Sequence, residues 1–235
     1  SNEPMPNDTL ATDSAITEDT DLSSSSKMDV EAVATAALPA MVQLNGTTTV
    51  KNSSYFGYGQ SYEATSSGTG IIVGKSDTEL LIVTNAHVVD NVDNLKCVFS
   101  DGTSASCSVK GSKSDQDIAV AAVSLSDISS DTASNIAIAE LEDSSDIKVG
   151  QQVVAIGNAL GEGQSGTTGI ISAKDRSITV NNVTFTGLLM TDAAINSGNS
   201  GGALLNSEGK VIAINFAKTS SDGVEGMAYS IPVSN

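Results

Sequence analysis

Short apolar runs separated by glycine, asparagine, aspartate and serine make up the sequence from Met41 onward. No long segment of this region repeats its apolar residues with the period of a helix. Many short strands with regular turn signals between them are typical of β-barrels and β-sandwiches. The pattern therefore predicts an all-β fold. The clearest runs lie at residues 70–73, 80–84, 118–123, 152–156 and 211–215.

A polar stretch at residues 124–135 divides the β region into two comparable halves. We therefore expect two β units, residues 29–128 and residues 129–235, joined through this stretch. The first unit should open with a short helix over residues 29–38, because the segment is rich in alanine. Asp29 can cap its N-terminus and Pro39 can end it.

The first forty residues carry eight acidic side chains and one base, Lys27, so they supply −7 of the net charge of −17. Low hydrophobicity with repeated like charge is typical of a solvated linker. We therefore expect residues 1–28 to form an acidic, linker-like tail.

The net charge and the small number of histidine and cysteine residues argue against several classes of function. A net charge of −17 argues against nucleic acids and anionic membranes as partners, because no basic surface can form without a local excess of lysine or arginine. One histidine and two cysteines argue against a multi-ligand zinc site, because such sites usually need three or four soft ligands. We expect no metal and no cofactor, and any imidazole chemistry must use His87.

Residues 198–202, Gly-Asn-Ser-Gly-Gly, fit two kinds of nucleophile loop. The elbow of α/β-hydrolases requires a histidine after the serine, and none follows Ser200. The loop of chymotrypsin-like proteases requires the order His, Asp, Ser, which His87, Asp117 and Ser200 satisfy. Because His87 precedes Ser200, an esterase of the α/β-hydrolase type is a poor alternative.

Each of these residues supplies a group that acyl transfer needs. The Ser200 hydroxyl needs a base to take its proton, and an imidazole such as that of His87 is the side chain most often used for this task. The Asp117 carboxylate would hold the imidazole in the required tautomer. The backbone amides of Gly198 and Ser200 would stabilise the developing oxyanion.

Three longer motifs resemble the HtrA/Deg family of serine proteases, and the resemblance covers about residues 29–235. They are Thr-Asn-Ala-His-Val-Val at 84–89, Gln-Asp-Ile-Ala-Val at 116–120 and Thr-Asp-Ala-Ala-Ile-Asn-Ser-Gly-Asn-Ser-Gly-Gly at 191–202. Shorter matches are Ser-Gly-Thr-Gly at 67–70, Lys-Val-Gly at 148–150, Ala-Ile-Gly-Asn at 155–158 and Gly-Ile-Ile-Ser at 169–172. The resemblance implies two perpendicular six-stranded antiparallel β-barrels of chymotrypsin type. His87 and Asp117 would come from the first barrel and Ser200 from the second.

The resemblance also implies finer assignments. The family's aspartate directly precedes an Ile/Leu-Ala pair, which selects Asp117 over Asp115. The pocket for the side chain before the scissile bond would be walled by Ile195 and Asn196 on one side and by Asn215 and Phe216 on the other. It holds no carboxylate, so it should favour small apolar side chains over basic ones. Core packing is the alternative interpretation of Ile195 and Phe216.

The implied function is that of a serine endopeptidase of protein quality control, acting on unfolded or misfolded polypeptides. The alternative is a latent protease or a non-proteolytic chaperone module, since residues 196–199 could turn an oxyanion amide away. The family further implies a homotrimer in the bacterial cell envelope, membrane-anchored or secreted. Its members usually continue into PDZ domains, which are absent from this sequence, and Ser197 stands where many have arginine.

The two cysteines lie in a predicted hairpin whose turn signal is Asp-Gly at 101–102. A three-residue loop would set Cys97 directly opposite Cys107 and allow a disulfide, whereas a two-residue loop would offset the pair by one. The sequence leaves a disulfide and two reduced thiols equally open.

Overall fold

The computed structural model describes residues 27–51, 61–159, 163–217 and 226–234. They form two closed antiparallel barrels of six strands each, with three short helices. The predicted all-β fold of chymotrypsin type is confirmed. The predicted acidic tail lies outside the described residues, apart from Lys27 and Met28. No helix in the described ranges is long and apolar enough to cross a membrane.

The first barrel holds strands β1 to β6 and closes where β4 pairs with β1. Its core is lined by alternate residues of these strands, among them Leu44, Ile82 and Ala121, which have no exposed surface. The strands are β1 Met41–Lys51, β2 Ser61–Lys75, β3 Glu79–Thr84, β4 Asn94–Val98, β5 Ser104–Lys113 and β6 Ile118–Ser124.

The second barrel holds strands β7 to β12 and closes where β10 pairs with β7. A separate apolar cluster that includes Val153, Leu204 and Ile212 fills it. The strands are β7 Gln152–Ala159, β8 Gly163–Val180, β9 Val183–Thr191, β10 Ala203–Leu205, β11 Val211–Phe216 and β12 Ala228–Pro232.

Helix α1, Val30–Ala37, confirms the predicted N-terminal helix. The Asp29 side chain accepts a hydrogen bond from the Ala32 amide at 3.0 Å and so caps the first turn. The helix buries Val33 and Ala37 in a cluster that also contains Ile71 of the first barrel and Ile156 of the second. It therefore helps to hold the two barrels together.

The polar stretch between the two halves contains helix α3, Ser130–Asn135, and leads into an extended segment that binds both barrels. The Ala139 amide donates to the Ile72 carbonyl of β2 at 2.8 Å, and the Glu142 amide donates to the Val211 carbonyl of β11 at 3.0 Å. The connection between the barrels is thus hydrogen-bonded to each of them.

The hairpin of β4 and β5 has neither of the two loop lengths considered for the cysteines. Its register pairs Cys97 with Ala105 and Leu95 with Cys107, so the two cysteines do not lie directly opposite each other. The loop spans residues 99–103, closed by a hydrogen bond from the Phe99 amide to the Thr103 carbonyl. Both thiols are free, and the hydrogen bond with Cys107, together with burial, raises the pKa of Cys97.

Candidate active site

His87 lies in helix α2, Ala86–Val89, which begins where β3 ends. The neighbouring Ala86, Val88 and Val89 are buried in the first barrel's core cluster, so the packing of α2 leaves the imidazole at the surface. The His87 side chain is 33% exposed. The apolar residues around it thus fix the helix and leave the ring accessible.

Asp117 directly precedes β6 and is almost fully buried. Its Oδ2 lies 2.7 Å from Nδ1 of His87, and its Oδ1 accepts the His87 backbone amide at 2.9 Å. Because a carboxylate oxygen faces Nδ1, that nitrogen carries the proton and Nε2 is left as an acceptor. Asp115 is exposed and lines an apolar groove beside the barrels.

Ser200 lies in the loop of residues 194–202, which we call the nucleophile loop and which leads into β10. Its Oγ lies 3.2 Å from Nε2 of His87 and 2.9 Å from Oδ1 of Asn85. The structure therefore brings His87, Asp117 and Ser200 together across the two barrels. The arrangement suits proton transfer from a hydroxyl to an imidazole held by a carboxylate.

Strand β2 of the first barrel holds the nucleophile loop through Thr69. The Thr69 amide donates to the Ser200 carbonyl at 2.9 Å, and its hydroxyl donates to the Gly198 carbonyl at 2.8 Å. The same hydroxyl accepts the Asn158 amide of β7 at 2.8 Å. Sequence reasoning missed this role of Thr69, and the only signal for it was the Ser-Gly-Thr-Gly match at 67–70.

Two glycines are required where backbones meet in this region. A Cβ on Gly157 of β7 would lie 2.3 Å from the Asn199 Cα. Gly201 has a φ of +82°, a left-handed conformation that favours glycine, and a Cβ there would lie 2.3 Å from the Thr69 carbonyl oxygen. The nucleophile loop therefore packs directly against β7 and β2.

Both amides predicted to form the oxyanion hole are engaged within the nucleophile loop. The Gly198 amide donates to Oδ1 of Asn196 at 2.9 Å, and the Ser200 amide donates to the Asn196 carbonyl at 3.0 Å. The Asn199 side chain strengthens this arrangement, because its Oδ1 accepts the Asn196 amide at 2.9 Å and its Nδ2 donates to Ala194. In this conformation neither amide is available to an oxyanion.

The four residues predicted to wall the substrate pocket differ in exposure. Ile195 is half-buried against the second barrel's core, and Asn196 is exposed. The Asn215 side chain is fully buried and bonds to the Ala203 carbonyl and to Ser230. Phe216 is also buried and packs on Phe185, with ring centroids 5.0 Å apart. Asn215 and Phe216 can therefore meet a substrate only through their backbone.

No group of three or more metal-ligating side chains lies within the part of the chain that the structure describes. The chemistry that the site can perform is acyl transfer by a serine, with a histidine as base and a carboxylate behind it.

Comparison with known proteins identifies relatives of this chain. Residues 68–214 match the family model described as "Trypsin-like peptidase domain". The "Serine protease Do-like HtrA" of Bacillus subtilis is 38% identical over 203 residues, which cover 83% of this chain and 44% of that protein. The "Periplasmic serine endoprotease DegP" of Escherichia coli is 38% identical over 177 residues, which cover 75% of this chain and 35% of that protein.

A solved structure described as "HtrA-type protease AlgW with tripeptide" is also similar. It superimposes with a TM-score of 0.68 at 32% sequence identity, covering 87% of this chain and 60% of that one. The chain spans less than half the length of the two curated relatives named above.

Proposed function

Because the chain belongs to the trypsin-like peptidase family, as a homologue of the HtrA/Deg serine proteases, we propose that it is a serine endopeptidase of protein quality control. One observation carries the proposal. The Ser200 hydroxyl, the His87 imidazole and the buried Asp117 carboxylate form a continuous series of contacts of 3.2 and 2.7 Å.

These three residues divide the chemistry among them. Ser200 Oγ attacks the scissile carbonyl while Nε2 of His87 takes its proton, and the Asp117 carboxylate stabilises the imidazolium that forms. His87 then protonates the leaving amine, and an acyl-enzyme remains on Ser200. Water, deprotonated by His87, hydrolyses this ester and restores the serine.

The engaged amides favour a second candidate, a latent form of the same protease. Stabilisation of the oxyanion requires the amides of Gly198 and Ser200 to leave Asn196 and turn toward the substrate. The absence of one such donor typically costs roughly 10²–10³ in turnover. The conformation described above is accordingly a resting one, and the nucleophile loop must rearrange before efficient cleavage.

The substrates we propose are unfolded or misfolded polypeptides. Support comes from the structural relative described above, an HtrA-type protease with a tripeptide. Ile195, half-buried at the edge of the second barrel's core, suits a small apolar side chain before the scissile bond. Cleavage after lysine or arginine in a peptide library would contradict this preference.

We place the protein outside the cytoplasm, in the bacterial cell envelope, because several relatives are named periplasmic proteases. Attachment to a membrane or secretion, and assembly as a homotrimer, belong to the same proposal. Chemical crosslinking of the purified chain tests the trimer, and a single monomer band at every protein concentration would contradict it.

The deciding experiment compares wild type with Ser200→Ala on unfolded casein, with a fluorophosphonate label in parallel. Ser197→Ala is the matched control, because Ser197 is an exposed serine of the same loop. We expect cleavage and labelling in wild type and the control, and neither in Ser200→Ala. Loss of both only in Ser200→Ala would support the protease, and no labelling of wild type would support the latent form or a binding module.

A further inference from the structure

A buried asparagine that the proposed mechanism does not use forms hydrogen bonds with both Asp117 and Ser200. Asn85 precedes helix α2 and has no exposed surface. Its Nδ2 donates to the backbone carbonyl of Asp117 at 3.1 Å, and its Oδ1 accepts the Ser200 hydroxyl at 2.9 Å. The carboxamide therefore connects the first barrel to the nucleophile loop.

The orientation of this carboxamide follows from the chemistry of its neighbours. The carbonyl oxygen of Asp117 can only accept a hydrogen bond, so the NH₂ group of Asn85 must face it. Oδ1 then faces Ser200, whose hydroxyl is the only donor of that pair. The reverse orientation would set two acceptors against each other at Asp117.

The Ser200 hydroxyl has one proton and two acceptors within reach. Oδ1 of Asn85 lies at 2.9 Å and Nε2 of His87 at 3.2 Å. Rotation about the Cβ–Oγ bond moves the proton from one acceptor to the other while the oxygen stays in place. Asn85 can thus hold the nucleophilic oxygen within reach of the base before the proton is transferred.

The backbone of Asp117 also depends on this contact. Asp117 has a φ of +54°, a left-handed conformation that is uncommon for a residue other than glycine. A hydrogen bond to its carbonyl opposes relaxation toward a more favourable conformation. Its carboxylate, which holds His87 through two contacts, is oriented by the same backbone.

We propose that Asn85 is a positioning residue for acyl transfer, which holds the Ser200 oxygen for His87 and anchors the backbone of Asp117. The inference rests on the proposed serine protease function. His87 is a third exposed, whereas Asn85 is buried and bonded at both ends. Among the described residues, these two side chains are the hydrogen-bond partners of the Ser200 hydroxyl.

The test uses Asn85→Ala and Asn85→Asp with a peptide substrate, and kcat is expressed per molecule labelled by a fluorophosphonate. The extent of labelling counts the folded, competent molecules, so a loss of stability alone does not lower kcat on this scale. We expect kcat per labelled molecule to fall roughly 10- to 100-fold with little change in KM, because the oxygen is misplaced while the substrate pocket is intact.

The pH profile of Asn85→Asp adds a readout that a merely structural role would not move. The ionised carboxyl cannot donate to the Asp117 carbonyl, whereas the protonated carboxyl can. The ratio of variant to wild-type kcat should therefore rise as the pH is lowered. A ratio that is constant with pH, or a kcat within twofold of wild type in both variants, overturns the inference.

Asn206→Asp is the matched control, because Asn206 is a buried asparagine in the turn beyond β10. It should lose stability but keep the kcat per labelled molecule. If wild type labels and Ser200→Ala does not, an unchanged Asn85 variant refutes the role of Asn85 alone. If wild type neither labels nor cleaves, the proposed function fails, and the role of Asn85 fails with it.

Discussion

Asp115 and Asp117 lie only two positions apart in the sequence but differ in burial. Asp117 is 1% exposed and contacts both the ring and the backbone amide of His87, whereas Asp115 is exposed. A carboxylate held in place by two hydrogen bonds can fix a histidine tautomer, and a solvated one cannot. The two residues therefore offer a matched pair of substitutions.

Asp117→Asn should lower kcat by about 10⁴ with the fold intact, because a carboxamide facing Nδ1 favours the wrong tautomer of His87. Asp115→Asn should leave kcat within twofold of wild type. Steady-state kinetics with a peptide substrate measure both, and a circular dichroism spectrum checks the fold. Near-normal activity in Asp117→Asn would remove Asp117 from the mechanism.

Asp101 predicts a pH dependence of stability at the β4–β5 turn. Hydrogen bonds from the hydroxyl and the amide of Thr103 hold the pKa of Asp101 below its usual value. A lowered folded-state pKa adds stability above the unfolded value, about 3.9, and this stability is lost as the pH falls through the folded value.

The neutral variant Asp101→Asn should therefore be less stable than wild type at pH 7, by about 1 kcal/mol or less because the carboxylate is exposed. Urea unfolding at several pH values measures the difference, which should shrink from pH 4 toward pH 2. A difference that stays constant over this range would show that the charge of Asp101 contributes nothing.

Sequence reasoning could select His87, Asp117 and Ser200 because each carries a reactive group and their order along the chain matches a known mechanism. Asn85 and Thr69 could not be given roles in this way. Their partners lie 115 and 129 positions away, and an amide or a hydroxyl has many uses. Only the folded backbone brings these groups together.

At the scale of elements, the position of Ser200 depends on how closely strand β7 approaches the nucleophile loop. Gly157 leaves no room for a side chain, since the Asn199 Cα occupies the place that a Cβ would take. Gly111 of β5 has nothing within 4 Å of its Cβ position. The two glycines therefore distinguish loop displacement from a general effect on strands.

Gly157→Ala should push the nucleophile loop away from β7, lower kcat/KM roughly 100-fold and cost about 1–3 kcal/mol of stability. Gly111→Ala should change neither by a measurable amount. Peptide cleavage assays and thermal unfolding supply the two readouts. Equal effects of the two substitutions would mean that the approach of β7 does not set the position of Ser200.

The success of prediction at this scale depended on the range of the interactions. Helix α1 could be predicted because its cap is local, from Asp29 to the Ala32 amide. The register of the β4–β5 hairpin could not, because a five-residue loop closed by Phe99 and Thr103 carries the same Asp-Gly signal as a tighter turn. Loop length, which sets the register, leaves little trace in the sequence.

At the scale of the whole molecule, the position of the candidate site depends on the interface between the two barrels, which we call the seam. The Thr69 hydroxyl, on the first barrel, bonds to the Gly198 carbonyl and the Asn158 amide, both on the second. Thr65 lies on the same strand but is exposed. The all-β class could be predicted from short apolar runs separated by turn residues, whereas these contacts across the seam could not.

Thr69→Val should cost roughly 1–3 kcal/mol, because it leaves a carbonyl and an amide at the seam without a partner. Activity should be lost at a lower urea concentration than the circular dichroism signal, since the seam opens before the barrels unfold. Thr65→Val should behave like wild type in both measurements. Coincident loss of activity and structure in Thr69→Val would argue against a seam that opens separately.

The division of His87, Asp117 and Ser200 between the two barrels has a consequence for the synthesis of the chain. A ribosome releases His87 and Asp117 with the first barrel, while Ser200 waits for the second, which closes only when β12 pairs with β9 and β11. The three groups of the proposed mechanism can therefore meet only when that last strand is in place. Under the proposed function, a chain still attached to the ribosome lacks the complete set of groups that peptide-bond cleavage needs.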